Sequence, residues 1–198
     1  MNAGTGQIAV KRRWLQFSLR AMLAATAGIA LLVSLVVRDK TPLVPASEYA
    51  ILNAAVGQGL IGQQEVGPLF LSSRTLEPND LPDREVTLQC LMKKAPELDE
   101  GIFSDFYDRN GTVHRVEPRF RLPCKYHVTT KDRAKALVEQ LKIDAPRWVV
   151  MSRPGLAPSG RTAIVYVSSA RGMFGGTDLL VLGKDDDTWN LVKILPVF

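Results

Sequence analysis

The sequence predicts an α+β protein, with an N-terminal transmembrane helix followed by one domain in which helices come first and an antiparallel sheet comes last. Three patterns support this prediction. Residues 21–37 carry no charge, apolar residues recur at helical spacing between residues 47 and 141, and short runs rich in Val, Ile, Leu, Tyr and Trp follow residue 148. Helices before strands favour an α+β domain over a parallel α/β fold.

The apolar segment 21–37 has the length and the flanking residues of a membrane anchor. Its 17 residues would form a helix of roughly 25 Å, at the low end of what crosses a hydrocarbon core of about 30 Å. Trp14 suits the headgroup layer, and Arg20 and Arg38 bound the run on either side. We expect this segment to cross the lipid bilayer, so the bilayer is the predicted binding partner of residues 21–37.

Three alternatives exist for this segment, of which a mitochondrial transit peptide is disfavoured because the run is uniformly apolar rather than amphipathic. A buried core helix conflicts with so long an uncharged run beside the basic residues Lys11, Arg12 and Arg13. A cleaved signal peptide also has a basic region before an apolar one, but here Arg38 and Asp39 follow the run where a small-x-small cleavage site would lie. The sequence therefore favours an uncleaved signal-anchor.

The charge distribution predicts the orientation of the chain. Residues 1–40 hold six of the 25 basic groups and one of the 20 acidic groups, which leaves 19 of each in the rest. Four basic residues precede the apolar run, so the positive-inside bias places residues 1–20 in the cytoplasm. A neutral body excludes a broad phosphate-binding face, and we expect no nucleic-acid partner.

These patterns together predict the domain organisation and location. We expect a single-pass protein of a bacterial cytoplasmic membrane, with a membrane helix at 21–37, a proline-containing linker at 38–46 and an extracytoplasmic domain at 47–198. Ala24 and Gly28 form a small-xxx-small pair through which two membrane helices could form a weak homodimer. The sequence specifies neither a protein partner nor a small ligand.

Each element of the body has its own local signal. Ser47 and Thr129 resemble helix N-caps, Asn110 and Gly111 a helix end, and the acidic step 184–187 a hairpin loop. The predicted helices are 47–56, 85–94, 97–110 and 129–141, and the predicted strands are 68–73, 119–128, 148–152, 162–168, 178–183 and 189–195.

One group of residues could hold a ligand or act in acid–base chemistry. Asp105 and Asp108 lie three residues apart on the predicted helix 97–110, and His114 follows a few residues after its end. The alternative is a solvated surface, which such groupings form more often. No His, Cys or carboxylate has the local spacing of a zinc site, so we expect no metal.

A second candidate is a cluster of arginines near Phe120, formed by Arg115, Arg119 and Arg121. Their guanidinium groups could receive an acidic ligand. The alternative is a charged edge strand, which discourages aggregation. The glycine motif at 57–62 resembles a dinucleotide site, but too few residues precede Pro68 for a crossover helix, and we expect no cofactor.

The only two cysteines, Cys90 and Cys124, lie in the predicted extracytoplasmic domain. An oxidising compartment permits a disulfide that closes a loop of about 34 residues and contributes about 3–4 kcal/mol. Two separate buried thiols are the equal alternative.

Several segments resemble known bacterial proteins. The leader RRWLQFSLRAMLAATAG resembles an FSLR-type N-terminal anchor of membrane-tethered proteins. The segments DFYDRN (105–110) and AIVYV (163–167), together with Lys184 and Trp189, look like an uncharacterised family of small exported α+β domains. The order of helices and strands is also similar to NTF2-like domains, in which helices and a curved sheet form a cup; this resemblance implies a fold and no activity.

The sequence thus predicts a membrane-tethered extracytoplasmic binding or interaction module without catalytic activity, because no set of residues has the spacing of a catalytic site. The alternative is a hydrolase or small-ligand enzyme with its site in a cup between helices and sheet. Catalytic groups brought together from distant segments leave no local motif, so the sequence keeps this alternative open.

Overall fold

The computed structural model describes residues 21–27, 29, 39–61, 68–144, 146–171 and 174–197, without the side chains of Val86, Cys90 and Phe174. The chain divides into two compact units, Met1–Lys40 and Thr41–Phe198. In the first unit, residues 21–27 and 29 are helical, and the remainder of the expected anchor lies outside the described residues. Within the described ranges, no helix is long and apolar enough to cross a membrane.

The second unit, which we call the body, is built on one mixed sheet of seven strands. In chain order the strands are β1 (Leu69–Ser72), β2 (Tyr126–Thr129), β3 (Arg147–Met151), β4 (Gly155–Leu156), β5 (Thr162–Arg171), β6 (Phe174–Asp185) and β7 (Thr188–Pro196). Their spatial order is β2-β1-β3-β5-β6-β7, with β4 paired to β5. The sheet is antiparallel from β3 to β7, whereas β1 runs parallel to both β2 and β3.

The α+β class with helices first is therefore confirmed, but the sheet is mixed rather than purely antiparallel. The predicted hairpin is present, because β6 ends at Asp185, β7 begins at Thr188, and Asp186 takes the turn conformation with φ 52°. The parallel half was missed because β1 has no partner nearby in the chain. Parallel strands need long crossover connections, and local patterns do not reveal which strands they join.

Four helices form in the predicted regions. They are α1 (Tyr49–Ala54), α2 (Arg84–Lys94), α3 (Glu100–Arg109) and α4 (Lys131–Leu141); a 3₁₀ turn at Ala46–Glu48 leads into α1 and a π-helical segment at Ala55–Ile61 follows it. Asp99 caps α3 by accepting a hydrogen bond from the Gly101 amide at 2.6 Å. The cap of α4 is Thr130, one residue after the Thr129 that the sequence predicted.

Helices bury both faces of the sheet. The α1 face is covered by α1 and the π-helical segment, which pack on Leu71, Val149 and Leu180. The opposite side, the α3 face, is covered by α2 and α3, which pack on Ile164 and Tyr166. Alternation along each strand sends neighbouring residues to opposite faces, which explains the continuous buried runs in β5 and β6.

The predicted strand 119–128 is mostly irregular, and only Tyr126–Thr129 joins the sheet. Its alternation is nevertheless meaningful, because the side chains that recur at every second position pack on the α1 face; they are Phe120, Leu122, Cys124, Tyr126 and Val128. Pro118 precedes the segment and Pro123 interrupts it, and proline has no N–H to donate to a sheet. The segment therefore covers the core without pairing.

Part of the expected linker belongs to the body. The Val44 amide donates to the Arg115 carbonyl at 3.0 Å, and the Arg115 amide donates to the Pro42 carbonyl at 2.7 Å. Val44 is buried in the core of the α1 face. The prolines at 42 and 45 thus stiffen a segment that packs on the body rather than a free spacer.

Asp178 in β6 is a carboxylate whose ionised form the fold disfavours. Burial raises its pKa, although the positive charge of Arg147 acts in the opposite direction. The folded state then holds the proton more tightly than the unfolded state, so the stability falls as the pH rises through and above the ordinary value of 3.8. We expect Asp178→Asn to melt at a higher temperature than the natural chain at pH 7 and at the same temperature at pH 3.

Thermal unfolding at the two pH values measures this difference. Asp187→Asn is the control, because its side chain lies fully in solvent beside Lys184. A lower melting temperature of Asp178→Asn at pH 7 would mean that attraction to Arg147 outweighs burial.

Candidate ligand-binding sites

A buried set of ion pairs, the Glu48 network, lies where the first helix meets the end of β3. Glu48 is 3% exposed. Its carboxylate accepts hydrogen bonds from Arg153 Nη2 at 2.5 Å and Nε at 3.0 Å, and from Arg109 Nη1 at 3.1 Å. Because Glu48 precedes α1 and Arg109 ends α3, this carboxylate joins helices that cover opposite faces of the sheet.

Asn110 fixes the position of Arg153 in the Glu48 network. Its side-chain oxygen accepts from the Arg153 amide at 2.7 Å, and its side-chain nitrogen donates to the Arg153 carbonyl at 3.0 Å. Asn110 is 1% exposed, so both hydrogen bonds are shielded from water. These two hydrogen bonds fix the backbone of Arg153 and so position its guanidinium next to Glu48.

Asp105 joins the same network from α3. It lies 2.6 Å from Arg109 Nε and accepts a hydrogen bond from the Leu156 amide at 2.7 Å. Burial alone would lower the pKa of Arg109, but contact with Asp105 and Glu48 raises the pKa above its ordinary value. Two arginines thus balance two carboxylates, as partly buried charges require.

The structure brings together two of the three residues predicted as an acid–base group. His114 contacts Arg153 through Nε2 at 3.2 Å, and its Nδ1 lies 3.0 Å from the Thr112 carbonyl. Asp105 is in the same network, whereas Asp108 is exposed and outside it. Both ring nitrogens of His114 therefore contact protein groups, and the network links α3 to the segment that follows β3.

Arg119 and Arg121 line one concave site, which we call the arginine pocket. The pocket has a volume of about 410 Å³, is open to solvent, and is also lined by Ala46, Tyr49, Ala50 and Asn53. Phe120 between the arginines is 6% exposed and packs edge-on against Tyr49 with ring centroids 5.5 Å apart. Burying the middle residue turns both neighbours outward. Arg115, the third arginine of the predicted cluster, does not line the pocket.

Two side chains of α1 hold this segment in place. Asn53 accepts a hydrogen bond from the Arg121 amide at 2.6 Å, and the Tyr49 hydroxyl accepts one from the Glu117 amide at 2.7 Å. Arg119 pairs with Glu117 at 2.7 Å and lies over the Tyr49 ring at 5.9 Å. The Arg121 guanidinium has no partner in the part of the chain that the structure describes.

A second concave site, the α4 cavity, lies between α4 and the α3 face of the sheet. Its volume is about 350 Å³, and it is lined by Phe70, Lys131, Ala134, Lys135, Val138, Pro146, Trp148 and Ala170. The cavity exists because α4 packs loosely. Ala134 is the only residue of α4 that is fully buried, and Leu141 is 55% exposed.

The expected disulfide stays a prediction, and the described residues do not favour it. Cys124 is a free thiol on the α1 face, and burial raises its pKa. The side chain of Cys90 lies outside the described residues. Within the described ranges, no group of three or more His, Cys, Asp and Glu side chains could hold a metal ion.

Sequence reasoning missed Glu48, Arg109 and Arg153 because their partners are far apart in the chain. The only local signal was the i,i+4 spacing of Asp105 and Arg109. The α4 cavity was missed as well, since it depends on how far a helix stands from a sheet. Comparison with known proteins gives no relative: no protein-family model, no curated protein and no solved structure matches this chain.

Proposed function

We propose that this protein is a single-pass membrane protein that holds a non-catalytic binding module outside a bacterial cytoplasmic membrane. The module binds an acidic group, a carboxylate or a phosphate, in the arginine pocket. The observation that carries the proposal is the meeting of Arg119 and Arg121 at one open concave surface. The NTF2-like resemblance stays a prediction within this proposal.

The chemistry of the arginine pocket suits an anion. Guanidinium groups donate several hydrogen bonds in a fixed plane, which matches the oxygens of carboxylates and phosphates. Arg119 is held by Glu117 and Tyr49, so less rotamer freedom is lost when a ligand binds. Arg121 brings a charge that no described side chain neutralises.

The described part of the leader supports the tether. Met22, Leu23 and Ile29 are at least 60% exposed, which is unfavourable for large apolar side chains in water and favourable in lipid. The Thr26 hydroxyl donates to the backbone carbonyls of Met22 at 2.9 Å and Leu23 at 3.0 Å. Its polar group is thereby satisfied within the helix, as a lipid-facing segment requires.

The hydrolase alternative is less favoured. A general base needs a free nitrogen or carboxylate within reach of a substrate. Both ring nitrogens of His114 contact protein groups. His127 is exposed on the edge strand β2 with its ring stacked on Phe70, and no described carboxylate contacts it to orient the ring as a base. We therefore favour binding over catalysis.

A binding experiment tests the arginine pocket. The full-length chain in detergent is titrated with inorganic phosphate by isothermal calorimetry, and we expect Arg119→Ala/Arg121→Ala to bind at least about tenfold more weakly. Arg161→Ala is the control, because Arg161 is exposed and lies outside the pocket. Equal loss in the control, or no binding by the natural chain, would overturn the site.

A fusion experiment tests the tether separately. A reporter that is active only outside the cytoplasm is attached after Phe198, and the chain is sized by blotting. Full-length active protein in the membrane pellet is the expected result. Activity after loss of the leader, or an inactive reporter, would overturn the anchor or its orientation.

A further inference from the structure

We propose that the α4 cavity binds a small amphiphilic carboxylate of the medium-chain fatty acid class. The apolar chain lies against Phe70 and Trp148, and the carboxylate meets the ammonium groups of Lys131 and Lys135 at the rim. This site is distinct from the arginine pocket and shares no residue with it.

The walls of the cavity are suited to a hydrocarbon. Phe70 is 1% exposed and forms the floor together with Trp148 of the neighbouring strand β3. Ala134, Val138 and Ala170 complete an apolar surface that offers water few hydrogen-bonding partners. A ligand that displaces water from this surface gains hydrophobic stabilisation. The apolar surface is available because Ala134, the buried residue of α4, is too small to cover it.

The rim adds charge complementarity for an anion. Lys131 and Lys135 are one helical turn apart, so both ammonium groups lie on the same side of α4. Neither lysine forms an ion pair with a described residue. A carboxylate would pair with both ammonium groups, whereas a neutral alcohol would not compensate the two charges.

The volume limits the size of the ligand. About 350 Å³ is near the lower end of small-molecule sites, which span about 300–1,000 Å³. One short acyl chain fits this space, and a two-chain phospholipid does not. The lysines select the acid over the corresponding alcohol.

The test uses octanoate and 1-octanol with the full-length chain in lipid nanodiscs, followed by tryptophan fluorescence. Ala170→Leu fills the cavity without removing a core side chain, since Ala170 is exposed, and Ala136→Leu places the same side chain on an exposed position of α4 outside the cavity. Lys135→Glu changes the rim, and Arg133→Glu makes the same charge change on the same helix outside the cavity.

We expect saturable binding of octanoate that Ala170→Leu abolishes and Lys135→Glu weakens at least about tenfold. Ala136→Leu and Arg133→Glu should bind like the natural chain, and 1-octanol should bind more weakly than octanoate. Saturable binding of both probes with an affinity that Lys135→Glu does not change would overturn the carboxylate proposal. Signals that are identical in Ala170→Leu and the natural chain report partition into lipid and would overturn the site.

Discussion

Replacing Glu48 by alanine is expected to lower the free energy of unfolding by about 3–5 kcal/mol. The carboxylate is 3% exposed and neutralises Arg153, whose side chain is 13% exposed, as well as Arg109. Without it, Arg153 has no carboxylate partner among the described residues, and Arg109 keeps only Asp105. The loss is a large fraction of the total stability of a domain, which is about 5–15 kcal/mol.

Urea unfolding of the full-length chain in a mild detergent, followed by tryptophan fluorescence, measures this loss. Glu97→Ala is the matched control, because Glu97 pairs with Lys193 at 3.3 Å on the surface, where both side chains are well exposed. Such exposed pairs contribute about 0–1 kcal/mol.

A double variant separates the cost of an unpaired charge from the value of the ion pair. Glu48→Leu/Arg153→Met removes both charges and keeps apolar volume, so we expect it to be more stable than Glu48→Ala. If Glu48→Ala were no less stable than Glu97→Ala, the Glu48 network would not stabilise the packing of α1 and α3.

Replacing Gly155 by alanine is expected to destabilise the body by about 3 kcal/mol or more, at or above the upper end of ordinary overpacking. An added Cβ would lie 2.5 Å from Phe106 Cβ, and 2.8 Å from both the Ile102 carbonyl oxygen and Phe106 Cα. Most of these atoms belong to the backbone of α3, which cannot move aside like a flexible side chain. Phe106 is itself 1% exposed, so the helix would be lifted from the sheet.

Gly176 provides the control for this substitution. It also lies in a strand, but an added Cβ would meet nothing within 4 Å. Gly176→Ala should unfold at the same urea concentration as the natural chain or a slightly higher one, because alanine restricts the unfolded chain more than glycine does. Equal stability of the two variants would show that α3 and β4 pack less closely than their distances indicate.

The elements that the sequence predicts best are those with local signals. Helix α3 was predicted from apolar residues at helical spacing, and Ile102 and Phe106 are buried as that spacing indicates. It begins at Glu100 rather than at residue 97, because Asp99 is its cap. The C-terminal strands are separated by turn residues, so their order follows the chain. Pairing of β1 with β2 and β3 joins segments that are distant in sequence, and no nearest-neighbour pattern encodes it.

The candidate sites divide in the same way. Arg119 and Arg121 were identified because they lie close together in the sequence, on either side of Phe120. The Glu48 network was not, since Glu48, Arg109 and Arg153 come from three separate segments that only the folded sheet assembles. The α4 cavity depends on a small side chain, Ala134, at a helix–sheet contact, and a sequence does not reveal an unfilled volume.

The position of β1 in the sheet has a consequence for biogenesis. Leu69 lies beside Tyr126 on one side and Arg147 on the other, so β1 can pair only after the later part of the chain has been synthesised. Because both neighbours of β1 follow it in the chain, we expect the sheet to close around this strand only after residues 126–151 have been synthesised.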